Sequence, residues 1–523
     1  MSQIAEPQLA SPEDNRALVA IDLGAESCRV SLLRWQNGHP RIEMIHRFPN
    51  GPVQQGNHLH WPLDQILAGL DEGLRKAAAA APEGIRSIAV DGWAVDNVRL
   101  SADPATNREA KPIHPPYCYR DERTVETKEA SESILPAERF YALTGAFPLR
   151  INTVYQLLAD HAEGIDPKAP WLNLPEYVLY TLGADPVAEY TNATHTGLVD
   201  IATGNWHKEA FARLNLAIEA APKIVPPGAI LGKVQGKLAE LPAFRDTTLI
   251  APACHDTASA IAAIAHNTSE TAYIVSGTWS LVGTVIDKLG KPITTPEALH
   301  AGFTNQGAAS GGYCFHTNVN GMWMLKQCLD HWASQGRAID LPELIAAAAG
   351  IAKIPGLIDV DAPPLLLAGN MPSRINFELE KSGLIPIPDD PGNEPLFARV
   401  IFSSLAQRYA AVLKNLESLT RRKFTRITVI GGGSRNALLA RLTEESTGLN
   451  VLPGEVEGST IGNFAVQLAS LSASPGTPTG PPAGPPSAAQ VSAWASLLAS
   501  AAHHPSNGQP SNNQSADNQP AVN

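Results

Sequence analysis

The chain has 523 residues, 44% of them apolar, and its 39 basic and 51 acidic side chains give a formal net charge of -12. That length exceeds one hydrophobic core and predicts roughly two to four domains, while the acidic balance excludes a broad nucleic-acid footprint because no basic stripe exists to neutralise phosphates. Five cysteines without a C-x-x-C or paired spacing exclude a zinc site and a disulfide frame and fit reduced thiols. The first residues, "MSQIAEPQLASPEDN", have neither the basic start nor the apolar stretch of a signal or transit peptide. No continuous run reaches the ~18 apolar residues of a membrane span. The expectation is a cytoplasmic protein with no membrane and no nucleic-acid partner.

In chain order, "ALVAIDLGAESCRVSLLRW" (17–35) reads as a strand, a tight turn of small residues and a second strand. It sets Asp22 at a strand end, suited to a hydrated metal, and Ser27 and Arg29 in reach of phosphate oxygens. "TAYIVSGTWSLVGTVID" (271–287) is built the same way, which predicts two similar domains facing each other. Between them, "TTLIAP" (247–252) reads as a buried strand and "TASAIAAIA" (257–265) as an Ala-rich helix. Asp256 therefore falls on a strand-to-helix corner, either as a plain N-cap or as an anion facing a ligand; the helix start is expected to keep it ionised.

Further on, Trp323, Leu325, Leu329 and Trp332 recur at helical spacing and predict a core-facing helix, as does "SLAQRYAAVLKNLESL" (404–419). "ITVIGGGSRNALLARLTEESTG" (427–448) runs from a strand through three glycines into a helix that Gly448 caps. The glycines allow backbone to approach a ligand closely. His195, His300 and His316 have no metal spacing and are expected to be solvated or hydrogen-bonded. No P-loop, G-x-G-x-x-G after a strand, H-E-x-x-H or G-x-S-x-G elbow is present. After residue 473 the text becomes Pro/Gly linker, then "VSAWASLLASAA" (491–502), readable as one short helix, then a polar stretch, 503–523, expected to be disordered. This tail is expected not to join the core.

"DLGAESCRV" (22–30), "YRDERT" (119–124), "EYTNAT" (189–194), "HDTASA" (255–260), "SGTWSLVG" (276–283), "FTNQG" (303–307), "IGGGSRN" (430–436) and "EGSTIGN" (457–463) occur in the order and spacing of the FGGY carbohydrate kinases, which the chain resembles from residue 17 to about 472. The resemblance implies an α/β fold of two ribonuclease-H-like domains of the actin and hexokinase type, with an ATP- and sugar-binding cleft between them. The sugar-side domain would span 17–262, the nucleotide-side domain 263–473, and linker and tail 474–523. It implies ATP and Mg2+ as cofactors, a ketose substrate with L-rhamnulose foremost, phosphorylation at O1, and a monomer or homodimer. Matched residue by residue, Ala25, Glu26, Ser27, Cys28 and Arg29 form the first phosphate-contacting turn, and Asp22 faces the magnesium shell. Thr278, Lys326 and Gly432 fall at nucleotide contacts. Ala94, His255, Asp256, Thr257 and Asn318 fall at sugar contacts, with Asp256 as the catalytic base. Glu26, Cys28, Ala94, Lys326 and Gly458 depart from the family's usual residues. Another ketose such as L-fuculose, or a sugar or nucleotide sensor without turnover, stands as the alternative.

Overall fold

The computed structural model describes residues 14–264, 269–287, 289–472 and 485–502. Two six-stranded sheets organise the chain. The first contains Ala17–Leu23 (β1), Ser27–Gln36 (β2), His39–Pro49 (β3), Ile85–Gly92 (β4), Ala229–Lys233 (β5) and Thr248–Ala251 (β6), in the order β5-β6-β4-β1-β2-β3. The second contains Thr271–Ser276 (β7), Trp279–Ile286 (β8), Phe303–Gly307 (β9), Tyr313–Asn320 (β10), Arg426–Ile430 (β11) and Asn450–Pro453 (β12), in the order β9-β10-β8-β7-β11-β12. In each sheet the lead strand of a hairpin lies between its antiparallel partner and a parallel strand: β1 between β2 and β4, β7 between β8 and β11. The two predicted hairpins thus occupy equivalent places. β1 is buried along its whole length, as the uninterrupted run "ALVAIDL" requires of a central strand covered on both faces.

The helix predicted over 404–419 is the C-terminal part of Glu394–Thr420, which lies under the second sheet. At 27 residues and mean hydropathy 1.2 over its most apolar window, it is long and apolar enough to span a bilayer. Its apolar side chains, among them Phe397, Ile401, Phe402 and Leu405, are instead fully buried in the second domain's core. Trp332 and Leu325 face that core too, and Trp323 and Leu329 pack at its margin. Gly448 takes the left-handed conformation, φ 70°, and donates to the Glu444 carbonyl, as a helix C-cap does.

Two helices late in the chain depart from the expected division. Gly458–Leu471 (α2, taking Asp256–Ala262 as α1) lies against β1 and β4 of the first sheet, although the sequence groups it with the nucleotide side. It crosses α1 so closely that a Cβ on Gly462 would sit 1.7 Å from the Ser259 carbonyl oxygen. Only glycine fits there. Ala488–Ala502 (α3) forms the predicted short helix but does not stand apart from the core. Its Val491, Trp494, Ala495 and Leu498 are buried against α2, Leu18, Leu33 and Trp35. The apolar stripe of "VSAWASLLASAA" closes a face of the first sheet that would otherwise be open, and this overturns the expectation that the whole tail stays off the core. Residues 503–523, expected to be disordered, lie outside the described residues.

Candidate active site

The site is built where β1, β4 and β6 end and where α1 and α2 begin. Parallel pairing of β1 with β4 places Asp22 beside Asp91. Asp22 is 4% exposed; it accepts a hydrogen bond from Ser459 Oγ at 2.7 Å and pairs with Arg29 at 3.1 Å. Arg29 also holds Glu457 at 2.6 Å, so both partners of this guanidinium flank the cleft. Asp91 is fully buried and accepts from Asn463 Nδ2 at 3.0 Å, while its Oδ1 has no partner. Burial, then the Asp22 charge, hold its carboxyl well above the usual range.

Past β6, the chain turns through Cys254 and His255 into α1. His255 is the N-cap residue and Asp256 the first helical residue, so the plain N-cap reading of Asp256 does not hold. One carboxylate oxygen accepts from the Thr257 amide at 2.5 Å and the Thr257 hydroxyl at 3.1 Å. The side chain is 33% exposed, with His255 Nε2 at 3.5 Å. Desolvation by the cleft floor, then the Asp22 charge, outweigh the Thr257 hydrogen bonds and the Arg29 charge, and push the Asp256 carboxyl up to about 7. The helix start therefore does not keep it fully ionised, because one turn of dipole is weaker than partial desolvation beside the Asp22 carboxylate.

Of the residues expected to contact the sugar, His255, Asp256 and Thr257 form this corner and Ala94 lies in the loop beside it. Gly92 donates to the Cys254 carbonyl at 3.0 Å and bridges to His255, which brings the start of the 92–96 loop against the turn that precedes Asp256. Ala94 lies in that loop, 8% exposed, next to Val95 at φ 73°. That angle is costly for a β-branched residue and is held by bonds from Thr153 Oγ1 and Gln156 Nε2 to the Val95 carbonyl. Asp96 takes hydrogen bonds from Trp61, Trp93, Gln156 and the Tyr119 amide. Burial raises its carboxyl to about 6 against those bonds, and the two indoles pack at 4.3 Å between centroids, tilted by 41°. Asn318 is exposed on β10, on the strand face shared with His316, and belongs to the second domain.

The residues expected to contact the nucleotide lie in the β1–β2 turn of the first domain and around the second sheet. In the β1–β2 turn Glu26 points to solvent, Ala25 is half-buried, and Ser27 accepts from Arg47 at 3.1 Å. Cys28 turns its thiol into the first core, fully buried and pushed up to about 12 by desolvation, so only its peptide group faces outward. Thr278 sits in the exposed β7–β8 turn, and its carbonyl accepts from the Trp323 amide at the start of the helix Trp323–Ser334. Gly432 opens a short 3-10 turn after β11. A Cβ on the neighbouring Gly433 would strike Ser276 Oγ at 2.0 Å, so the glycine loop lies directly on the β7–β8 turn. Beside them, a cavity of about 260 Å³ is lined by Ser276, Gly433, Ser434, Ala437 and Tyr409. Lys326 is half-exposed one turn along the helix, with its ammonium on Asp330 at 3.1 Å.

Several residues that build the site were not singled out from the sequence: Asp91, Glu189, Thr191, Glu457, Ser459 and Asn463. All but Asp91 fall in motifs quoted for the family resemblance, and Asp91 opens "DGWAVDN" (91–97). Glu189 accepts from the Cys254 amide at 2.8 Å, and Thr191 Oγ1 from the His255 amide at 3.2 Å, so "EYTNAT" supports the turn that carries Asp256. Of the histidines expected to be solvated or hydrogen-bonded, His195 is bonded to Gln306 and His316 to the Tyr273 hydroxyl. Both are buried beside His255, while His300 is exposed.

Paired sheets of this topology, with carboxylates at the strand ends facing a glycine-loop domain, define a two-domain sugar kinase. Residues 17–263 match the FGGY family of carbohydrate kinases, N-terminal domain, and residues 272–471 match its C-terminal domain. The chain belongs to the FGGY family of carbohydrate kinases. It is similar to a rhamnulokinase of Bacteroides thetaiotaomicron, 34% identical over 86% of this chain and 89% of the relative, and to one of Oceanobacillus iheyensis, 33% identical over 87% and 93%. Its fold is like those of a gluconate kinase and a ligand-bound xylulose kinase from Lactobacillus acidophilus, TM-scores 0.71 and 0.70 at 16% identity, each covering 92% of this chain and 96% of the other.

Proposed function

We propose that the protein transfers the γ-phosphoryl group of ATP to O1 of L-rhamnulose, with Asp256 as general base. The observation that carries the mechanism is the half-open Asp256 carboxylate, tuned to about 7 at the cleft floor beside Asp22 and Arg29. A base titrating near neutrality is suited to accept a hydroxyl proton as the oxygen attacks. The O1–phosphorus bond forms as the bond from phosphorus to the β,γ-bridging oxygen breaks; the proton passes to Asp256, and ADP leaves with the bond electrons. Phosphoryl transfer asks mainly for orientation and charge stabilisation, and Arg29, the backbone of the 25–29 turn and the Thr278 and Gly432 turns are assigned to hold the nucleotide.

Mg2+ fits the donor set. Asp22 and Asp91 supply hard carboxylate oxygens side by side, and the unpartnered buried Asp91 Oδ1 is an acceptor with no protein donor. No group of three or more pre-arranged metal ligands exists among the described residues, which agrees with an ion held by one or two carboxylates and completed by phosphate and water. When bound, the ion neutralises phosphate charge.

The choice of L-rhamnulose rests on the two rhamnulokinases that align over nearly the full chain. An ADP-release assay across ketoses, with and without magnesium, tests it. L-rhamnulose is expected to give the highest kcat/KM; preference for L-fuculose or another ketose would overturn the substrate, and magnesium-independent turnover the metal assignment. Lys326→Gln is expected to raise the nucleotide KM by no more than about fivefold and leave the sugar KM unchanged, because a half-exposed ammonium already paired with Asp330 is worth roughly 0.2 to 1 kcal/mol to a second anion. An altered sugar preference in that variant would place the helix on the wrong side of the cleft.

A further inference from the structure

We propose that Gln306 of the second domain, acting through His195, positions His255 and the base Asp256, so that the base is correctly placed only when edge strand β9 is seated on the first domain. The inference rests on the reading of Asp256 as the base.

The contacts form one continuous chain. Gln306 Nε2 donates to His195 Nδ1 at 3.1 Å. The His195 and His255 rings lie 3.9 Å apart, inclined at 57°, and His255 Nε2 faces the Asp256 carboxylate at 3.5 Å. The backbone runs parallel to this path: the Gly307 amide donates to Thr194 Oγ1 at 2.8 Å, and Thr191 Oγ1 accepts from the His255 amide. Residues 191–195 are thus clamped at one end by β9 and at the other by the turn that carries the base. The neighbouring residues of β9 also reach the first domain, Thr304 accepting from the Phe147 amide and the Asn305 amide donating to the Gly145 carbonyl.

The chemistry of the cluster fits positioning. His195 is 8% exposed and His316, on β10, is 1% exposed and bound to the Tyr273 hydroxyl at 2.8 Å. Burial holds His195 and His255 in the neutral form, reinforced at His195 by His255 and His316 and at His255 by His316. Neutral rings pack and orient without placing a cation against the base. His195 Nε2 and Gln306 Oε1 have no partners, so a polar pair with unused hydrogen-bonding capacity is kept inside the domain junction at a cost in desolvation. A side chain retained only for packing would be apolar.

The test is a double-mutant cycle in kcat. His195→Phe keeps the ring against His255 and removes the bond; Gln306→Leu removes it from the other side without touching the first domain's core. Each is expected to lower kcat about tenfold with both KM values within twofold of the parent. The double variant is expected to lose no more than either alone, since the two residues act as a unit. His195→Gln, which restores an amide partner for Gln306, should recover part of the loss. Losses that multiply, or a Gln306→Leu enzyme with unchanged kcat, overturn the inference. Asp256→Asn run in parallel separates the two claims: an active Asp256→Asn enzyme sinks the base assignment, whereas an inactive one beside a normal Gln306→Leu enzyme sinks the coupling alone.

Discussion

Asp256→Asn is expected to lower kcat by roughly 10²- to 10⁴-fold, the usual worth of a general base, while the ketose and MgATP still bind. The substitution is isosteric and keeps an oxygen to accept from the Thr257 amide, so the fold should survive. It also removes one of the carboxyls that repel each other in the cleft, and the variant should unfold at the same temperature as the parent or slightly above it. Calorimetric titration with each ligand, set beside single-turnover phosphoryl transfer, separates binding from chemistry. The pH profile gives an independent reading. The base works ionised, and its carboxyl lies at about 7 in the free protein; kcat/KM for the ketose should therefore fall about tenfold per pH unit on the acid side of that value. Substantial turnover by Asp256→Asn, or a profile flat down to pH 5, would reduce Asp256 to a residue of the helix start.

Removal of the C-terminal helix is expected to have the largest effect on stability. Trp494 is 2% exposed, Leu498 1% and Val491 4%, and the Trp494 ring meets Trp35 edge-on at 6.4 Å between centroids. Trp494→Ala should cost about 3–5 kcal/mol, lowering the melting temperature by roughly 3–5 °C in a protein of this size. Truncation after Ser472 should cost more and yield poorly soluble protein, because it uncovers α2 and the apolar face formed by Leu18, Ala20 and Leu33. The consequence reaches the active site. The covered helix α2 carries Ser459 and Asn463, which bond Asp22 and Asp91, and Gln467, which accepts from Ser87 at 2.6 Å. Turnover should accordingly fall in Trp494→Ala even below its melting temperature, whereas truncation after Ala502 should change neither property. A fully active, normally melting enzyme ending at Ser472 would show that α3 is dispensable.

By itself the sequence determined the local elements and the chemistry they offer. Both hairpins, the strand-to-helix corner at Asp256, the glycine loop and its capped helix were legible because hydrophobic period, turn residues and caps act over a few residues. The collinear motifs then placed the chain in its family. What the sequence did not carry was the consequence of bringing distant segments together. Asp22 and Asp91 become neighbours only through a parallel strand pair, and burial together with the Asp22 charge sets an Asp256 carboxyl near neutrality that a helix start alone would have kept acidic. Cys28 lies within the phosphate turn in sequence, yet strand alternation sends its thiol to the core. His195, His255 and His316 have no spacing relationship; three separate elements from two domains assemble them. The tail helix is the same lesson in apolar form: its composition permitted a short helix, but only the open face of the first sheet decided that it docks. Local propensity is written in neighbouring residues, whereas pairing, burial and the electrostatics they create belong to the packed chain.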